Sequence, residues 1–450
     1  MRPVRLSPGS HIGSFLRCIP KSSLRFQNAV LFPKIARKYS SHLIDTTTAS
    51  STSNSSSTSK FANIHSIIST PRVNEVSSDY VRVEPQPEDE IVIAMSSGVD
   101  SSVAAGIYAK KYKNVRGIYM ANWSQTAKCT ERDWNDVQKV CHDLKIPCER
   151  VNFEKEYWND VFQPMLNMYE KGLTPNPDTG CNKYVKFGCM IDHLTAKFPR
   201  DKKWWLVTGH YARVMLHQPS GQYHLLRAYS KDKDQSYYLS SIPQEALSRV
   251  LMPIGHYVKP DVRELAKELN LHVSSKPDSQ GLCFVSQEQN SFRDFLNDYI
   301  EPNPGNIVTE DGKVWGKHQG LWHATIGQKS SISMPQGDPQ YKGVWFVSEK
   351  NFETNELVIV RGRDNPKLYK QEVNVDDFQW MNSDNSDSSS EITFQYRSLQ
   401  TPIKVESMAR KGANYTIKLA EKVRALAPGQ NVVLYRGNQV LGSGVIGKAM

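Results

Sequence analysis

Between residues 91 and 210 the apolar positions alternate between short continuous runs and helical stripes. Ile91–Met95 is an apolar, β-branched run, the pattern of a parallel strand buried on both faces. The Ala-rich stretch Val103–Tyr112 then predicts a helix. Val115–Ala121 reads as a strand, Thr130–Leu144 as a helix, Cys148–Phe153 as a strand, Trp158–Tyr169 as a helix and Trp204–Gly209 as a strand. Strand–helix alternation at this spacing predicts an α/β domain, Rossmann-like, with a parallel sheet and ligands at the carboxyl ends of its strands. Within it, Tyr184, Phe187, Ile191, Leu194 and Phe198 recur in steps of three and four, the apolar stripe of one more helix. From Ile307 onward the period shortens. Gly343–Val347, Glu356–Arg361, Ile392–Arg397, Tyr415–Leu419, Val432–Tyr435 and Val440–Ile446 read as short strands between Gly and Asn turns. They predict two small β-rich modules, the last a β-barrel, with the polar run Asn382–Ser390 as a loop insertion.

A chain of 450 residues is too long for a single core. The expected division is 1–85 as leader and linker, 86–290 as catalytic domain, 291–367 as a central β-rich domain and 368–450 as the barrel. The net charge of +10 is uneven: residues 1–44 carry +8 with no acid, residues 391–450 carry +6, and the remainder is −4. An Arg- and Ser-rich, acid-free amphipathic start is the composition of a mitochondrial transit peptide, and a basic RNA-binding tail is the alternative. The Ser/Thr run Thr46–Ser59 reads as a linker. No apolar run approaches the ~18 residues of a membrane span, so no membrane insertion is expected.

The first strand ends in Ser96-Ser97-Gly98-Val99-Asp100-Ser101-Ser102, directly before a helix. Backbone N–H groups and the positive helix end then point at one place, which is an anion site. Gly98 would let a phosphate approach, and Ser101 is the expected helix cap. Asp100 beside a phosphate calls for a bridging Mg²⁺. No Lys follows, so the pattern is not that of the common Lys-bearing phosphate loop.

The seven cysteines, at 18, 129, 141, 148, 181, 189 and 283, contain no C-x-x-C pair. A zinc ribbon is therefore unsupported, and an odd number argues against a disulfide framework. Cys181 falls in the first turn of the striped helix, with Lys183 and Lys186 nearby, where a thiolate is stabilised. Asp178 either caps that helix or stands in the site. Cys283, in Asp278-Ser-Gln-Gly-Leu-Cys-Phe284, lies on a turn-rich segment suited to delivering a thiol.

Ser-Ser-Gly-Val-Asp-Ser resembles the S-G-G-x-D-S signature of the PP-loop ATP pyrophosphatases, with Ser97 where Gly is usual. That substitution fits if the backbone there keeps φ < 0. The segment 176–187, Asn-Pro-Asp-Thr-Gly-Cys-Asn-Lys-Tyr-Val-Lys-Phe, and the Cys283 segment 102 residues after Cys181 resemble the tRNA-specific 2-thiouridylases. So do Thr208–Arg213, Lys233–Leu239, Ala324–Gln328 and Ala427–Gln430, in the family's order from about residue 90 to the end. The resemblance implies ATP-dependent 2-thiolation of the wobble uridine of mitochondrial tRNAs, those for Lys, Glu and Gln, in the mitochondrial matrix. It implies that Ala94, Met95, Ser96, Ser97, Gly98, Val99, Asp100 and Ser101 hold ATP, with Met120 and Gly209 beside the nucleotide. Cys283 would carry a persulfide received from an upstream donor protein, Cys181 would attack it, and Asp178 would act as acid/base. Asn176, Pro177 and Asp178 would meet the target base. Lys233, Asp234, Gln235, Gln395 and Tyr396 would touch tRNA, His210 and Gln430 would set selectivity, and the family's usual Arg-Tyr is here Gln395-Tyr396. No separate metal site is implied, and a monomer is expected. Alternatives are another PP-loop adenylating synthetase, an inactive tRNA-binding protein, or an iron–sulfur cluster held by Asp178, Cys181 and Cys283.

Overall fold

The computed structural model describes residues 76–123, 127–278, 292–335, 337–382 and 391–450, without the side chains of 127–129. The leader, the Ser/Thr linker, Cys283 and all but the first residue of the 382–390 insertion lie outside the described residues.

Five parallel strands form the first sheet: β1 (Glu90–Met95), β2 (Val115–Ala121), β3 (Cys148–Asn152), β4 (Trp204–Val207) and β5 (Val250–Leu251), in the order β3-β2-β1-β4-β5. β1 is central because it is apolar on both sides. Ile91, Ile93 and Met95 pack into one core with α1 (Val99–Lys111), while Val92 and Leu206 face a second core with the helices of residues 154–197. α2 (Ala127–Asp143) joins the first core through Val137, Val140 and Cys141. Each fully buried aliphatic side chain here contributes about 1.5–3 kcal/mol. The carboxyl ends of β1, β2 and β4 therefore open on one edge, where the phosphate loop and Gly209 lie.

The middle region is a mixed four-stranded sheet of Val314–His318, Gly305–Thr309, Glu356–Arg361 and Trp345–Asn351 in that order. The end of the chain forms a closed six-stranded antiparallel barrel of Tyr369–Trp380, Ile392–Gln395, Ile403–Lys411, Asn414–Arg424, Asn431–Arg436 and Gln439–Ala449. The hairpin Ala212–Arg227 extends the barrel's sheet through a Leu226–Gln439 pairing and so links it to the parallel-sheet part of the chain. Several of these strands escape the hydrophobic pattern, three of them for a visible reason. Tyr369–Trp380 and Ile403–Lys411 are rich in charged and amide side chains because their outer faces meet water. The Ala212–His217 strand has no polar alternation over its first four residues because both its faces are buried.

The helix bearing Cys181 differs from its expected form. It starts as α-helix at Pro177–Gly180, widens to π-helix over Cys181–Cys189, and returns to α-helix over Met190–Lys197. The wide turn carries Cys181, Val185, Met190 and Leu194 into the core and leaves Tyr184 44% exposed. Tyr184 is thus not a core residue, contrary to the regular stripe, since the stripe assumes 3.6 residues per turn throughout.

Candidate active site

The loop after β1 folds on its own hydroxyls. α1 starts at Val99 after Gly98, with no side-chain cap. Ser101 is not the cap: its Oγ accepts from the Ser96 N–H at 3.2 Å and donates to the Gly98 carbonyl at 3.2 Å. Ser102 Oγ also donates to that carbonyl, at 2.8 Å. The first intrahelical bond runs from the Ser102 N–H to the Gly98 carbonyl, so the N–H groups ahead of it have no partner within the helix, as an anion site requires. Ser97 has φ 60°, the left-handed region where Gly is the ordinary residue, so the expected φ < 0 is not what the loop adopts. Its side chain explains the tolerance. Ser97 Oγ donates to Asp133 Oδ1 at 2.6 Å and accepts from Lys276 Nζ at 2.9 Å. Lys276 pairs in turn with Asp133 and Asp136.

These bonds set an order of stability. Ser97→Ala keeps the strained backbone and loses both bonds, whereas Ser97→Gly loses the bonds but relieves about 1 kcal/mol of strain. Thermal unfolding should rank native above Ser97→Gly above Ser97→Ala, and an alanine variant as stable as the native chain would remove the tether from the account.

A second network surrounds Asp100. Lys259 Nζ touches both its carboxylate oxygens, at 2.8 and 2.9 Å, and Tyr211 OH donates to Oδ1 at 3.0 Å. Lys259 also pairs with Asp278 at 2.8 Å, which takes Arg263 at 2.7 Å and Lys233 at 3.1 Å as well. Burial would raise the Asp278 carboxyl, yet hydrogen bonds from Lys259 and Lys233 overcome it and hold the group at about 2. Lys259, Arg263 and Lys276 carry no loop motif, and sequence reading misses them. The one signal is their order, cations on a helix and a turn that lead into the Cys283 segment. Among the described residues no group of three or more His, Cys, Asp or Glu side chains could hold a metal.

Across the site, the Cys181 helix is capped by Asn176, whose Oδ1 accepts from the N–H groups of Asp178 and Thr179. Asp178 is therefore released from the capping role. Its side chain reaches solvent from within a crowded hollow, which raises its pKa, with Lys186 opposing. Cys181 is buried at the head of the π stretch. Lys186 also faces His210, whose imidazole burial and this cation push down to about 3, so it is neutral at working pH.

The loop Thr208–Tyr211 joins the two halves. A Cβ on Gly209 would sit 2.6 Å from the Ser101 nitrogen, so only glycine lets β4 close on the phosphate loop. His210 packs against Phe187 of the Cys181 helix at 5.7 Å and bonds Thr208, and Tyr211 reaches Asp100. Met120 lies half-buried near the end of β2. Gln235 Oε1 accepts from the Tyr211 N–H and so braces the same loop.

The remaining residues fall elsewhere. Asp234 is buried, pairs with Arg227 and accepts from the Ala228 and Ser236 N–H groups. Gln395 and Tyr396 are buried in the barrel. Gln395 accepts from Arg227, while the Tyr396 hydroxyl donates to the Arg424 carbonyl. Gln430 Nε2 donates to the Thr174 carbonyl at 2.7 Å, and Thr174 N–H donates to Pro428. The barrel loop thereby holds the chain just before Asn176.

Three family models match successive segments: a tRNA methyl transferase HUP domain over 89–287, a tRNA methyl transferase PRC-barrel domain over 293–361 and an aminomethyltransferase beta-barrel domain over 370–446. The mitochondrial tRNA-specific 2-thiouridylase 1 of Saccharomyces cerevisiae is 49% identical over 386 residues, covering 80% of this chain and 92% of that one. A tRNA-specific 2-thiouridylase MnmA of Staphylococcus aureus is 40% identical over 363 residues, covering 79% and 94%. Among solved structures, the U34-tRNA thiolase NcsA of Methanococcus maripaludis aligns with TM-score 0.33 and 16% identity over 54% of this chain and 72% of that one, too slight a likeness to carry an argument.

Proposed function

The chain belongs to the tRNA-specific 2-thiouridylase family, and from that premise we propose that it thiolates the wobble uridine of mitochondrial tRNAs for Lys, Glu and Gln in the matrix, using ATP. Domain limits at 86–290, 291–367 and 368–450 are part of the same reading. The observation that carries it is the Thr208–Tyr211 loop, which braces a phosphate loop against the helix of a buried cysteine. Phosphate binding alone suits any adenylating enzyme, and a methyl transfer needs no buried thiol. The pairing suits activation of an oxygen followed by its replacement with sulfur.

In the first step the uridine O2 forms a bond to the ATP α-phosphorus while the bond to the β-phosphate bridging oxygen breaks, releasing pyrophosphate. The N–H groups of the first turn of α1 that have no partner within the helix hold phosphate oxygens, and Lys259 stands beside them as a cation. Mg²⁺ arriving with ATP would neutralise further charge. Asp100 could join its coordination through a lone pair that Lys259 and Tyr211 leave unused. In the second step the Cys181 thiolate attacks the inner sulfur of a Cys283 persulfide. A Cys181–Cys283 disulfide forms, and the outer sulfur leaves as hydrosulfide, adds to the activated C2 and expels AMP. A dithiol reductant then restores both thiols. Asp178, with its raised pKa, holds the proton exchanged between sulfur and base. His210 stays neutral and orients the loop, and Lys233 supports Asp278 rather than meeting solvent alone.

Mass spectrometry of mitochondrial and cytosolic tRNA nucleosides from cells lacking the protein tests this reading. Loss of 2-thiouridine from the mitochondrial pool alone is expected, and unchanged mitochondrial 2-thiouridine rejects it. Deleting residues 1–44 should leave thiolation in vitro intact and keep the protein outside mitochondria. Import of the truncated chain would show that targeting resides elsewhere.

A further inference from the structure

A cleft of about 340 Å³ opens between the Cys181 helix and the barrel. Among its lining residues are Tyr184, Lys183, Pro177, Asp160, Asp377 and Gln379. Tyr184 stands 44% exposed on its wall, whereas most aromatic rings of the described residues are buried. The π stretch is what turns it outward, by rotating Cys181 and Val185 into the core. A widened turn forgoes regular hydrogen-bond geometry, and such turns gather at functional sites. Lys183 Nζ lies 5.2 Å from the Tyr184 ring centre and 3.5 Å from Gln379 Oε1, so a cation and a barrel amide flank the ring.

We propose that Tyr184 is the stacking platform for a nucleotide base immediately beside the target uridine; this rests on the tRNA-thiolating reading above. The ring lines the same cleft as Asn176 and Pro177, the segment proposed to meet the target base, so a nucleotide adjoining that base comes within its reach. An exposed tyrosine beside a lysine is the pairing that holds single-stranded nucleic acid, the ring taking the base and the cation its phosphate. Asp160 and Asp377 repel a phosphate but accept hydrogen bonds from exocyclic amino groups. The cleft therefore takes the base, and the phosphate lies on the Lys183 side. Asp377 is held in the left-handed region at φ 49° on the barrel strand, so the barrel supplies part of the same wall.

The test uses the full chain with an unmodified tRNA transcript, ATP and a persulfide donor. Tyr184→Ala should raise KM for tRNA by about tenfold, the lower end of what base stacking contributes, with kcat changed less than about twofold. Tyr184→Phe should restore KM, because stacking needs the ring and not the hydroxyl. In parallel, 2-aminopurine placed at each nucleotide flanking the target should be quenched on binding at one position by the native chain and not by Tyr184→Ala. An unchanged KM in the alanine variant, or quenching equal in both proteins, overturns the proposal. Failure of the native chain to thiolate at all would instead reject the parent reading, so the two failures are distinct. The ring is exposed, and matched thermal melts for the two variants confirm that an altered KM is not loss of fold.

Discussion

A Lys259→Ala chain should release pyrophosphate in the presence of tRNA about 100-fold more slowly than the native chain, with tRNA affinity nearly unchanged; that is the usual size of losing one preorganised electrostatic contact to a developing charge. Lys259 is the cation that touches both oxygens of Asp100 and also binds Asp278. Its side chain is only 11% exposed, and Asp100 keeps no cation once it is gone among the ion pairs of the described residues. Stability should also fall, by about 2 kcal/mol. That is less than the 3–5 kcal/mol of a fully buried pair, because Asp100 is partly solvated. The pH dependence carries a sign. Asp278 is held at about 2, below the ordinary carboxylate value of about 3.9, so its contribution is complete above the higher value and is lost as pH falls through the lower one. Removing Lys259 takes away the first of the hydrogen bonds that lower it. The folded-state pKa rises and acid unfolding moves to higher pH. An acid titration followed by circular dichroism measures the shift, and a pyrophosphate assay measures the rate. A slower rate with no acid shift would detach Lys259 from Asp278, and a native rate would leave it a purely structural residue.

Parts of this site are legible in the sequence because each depends on local pattern. Strands β1 and β4 are apolar on both faces and announce a buried parallel sheet, β2 and β3 are marked by their alternation with helices, and the loop after β1 needs only its small residues and the following helix. The apolar stripe from Tyr184 to Phe198 marks a helix, which is why Cys181 can be placed near its start, whereas its cap is Asn176 rather than Asp178. What is not legible depends on packing between segments far apart in the chain. Ser97 looks like a simple lapse from glycine, and only the meeting of β1, α2 and the turn at Lys276 shows its hydroxyl compensating for a left-handed backbone. Lys259 is one lysine among many until β5 and the helix after it bring it to Asp100. Lys233, Asp234 and Gln235 read as one RNA-touching stretch, yet neighbouring side chains diverge: one braces Asp278, one is buried on Arg227, one holds Tyr211. Tyr184 is misread for a different reason. Periodicity assumes a regular helix, and a π turn breaks the assumption without any breaker residue to signal it, although Gly188 sits where a Cβ would approach the Lys183 carbonyl at 3.0 Å.

Cys181→Ser and Cys283→Ser should each abolish 2-thiouridine formation, and they should do so at different points. In the Cys283→Ser chain no site remains to accept sulfur from a persulfide donor, so no labelled sulfur should be retained. In the Cys181→Ser chain the label should load on Cys283 and persist, because the thiol that releases it is absent. Cys181 is suited to attack rather than loading: it is buried at the head of its helix, closed to a bulky donor, with Asp178 in the solvent-reached hollow close by. Both variants should still release pyrophosphate with tRNA bound, since Ser97, Asp100 and Lys259 are untouched. The exchange requires the two Cα atoms to come within about 7 Å in at least one conformation, the limit for joining two sulfurs. Trapping the disulfide in the native chain after a single turnover without reductant provides that distance check. Mass spectrometry of each variant after incubation with labelled donor reads the rest. Persulfide found on Cys181 in the Cys283→Ser chain would exchange the two roles, and full thiolation by either variant would end the two-cysteine mechanism.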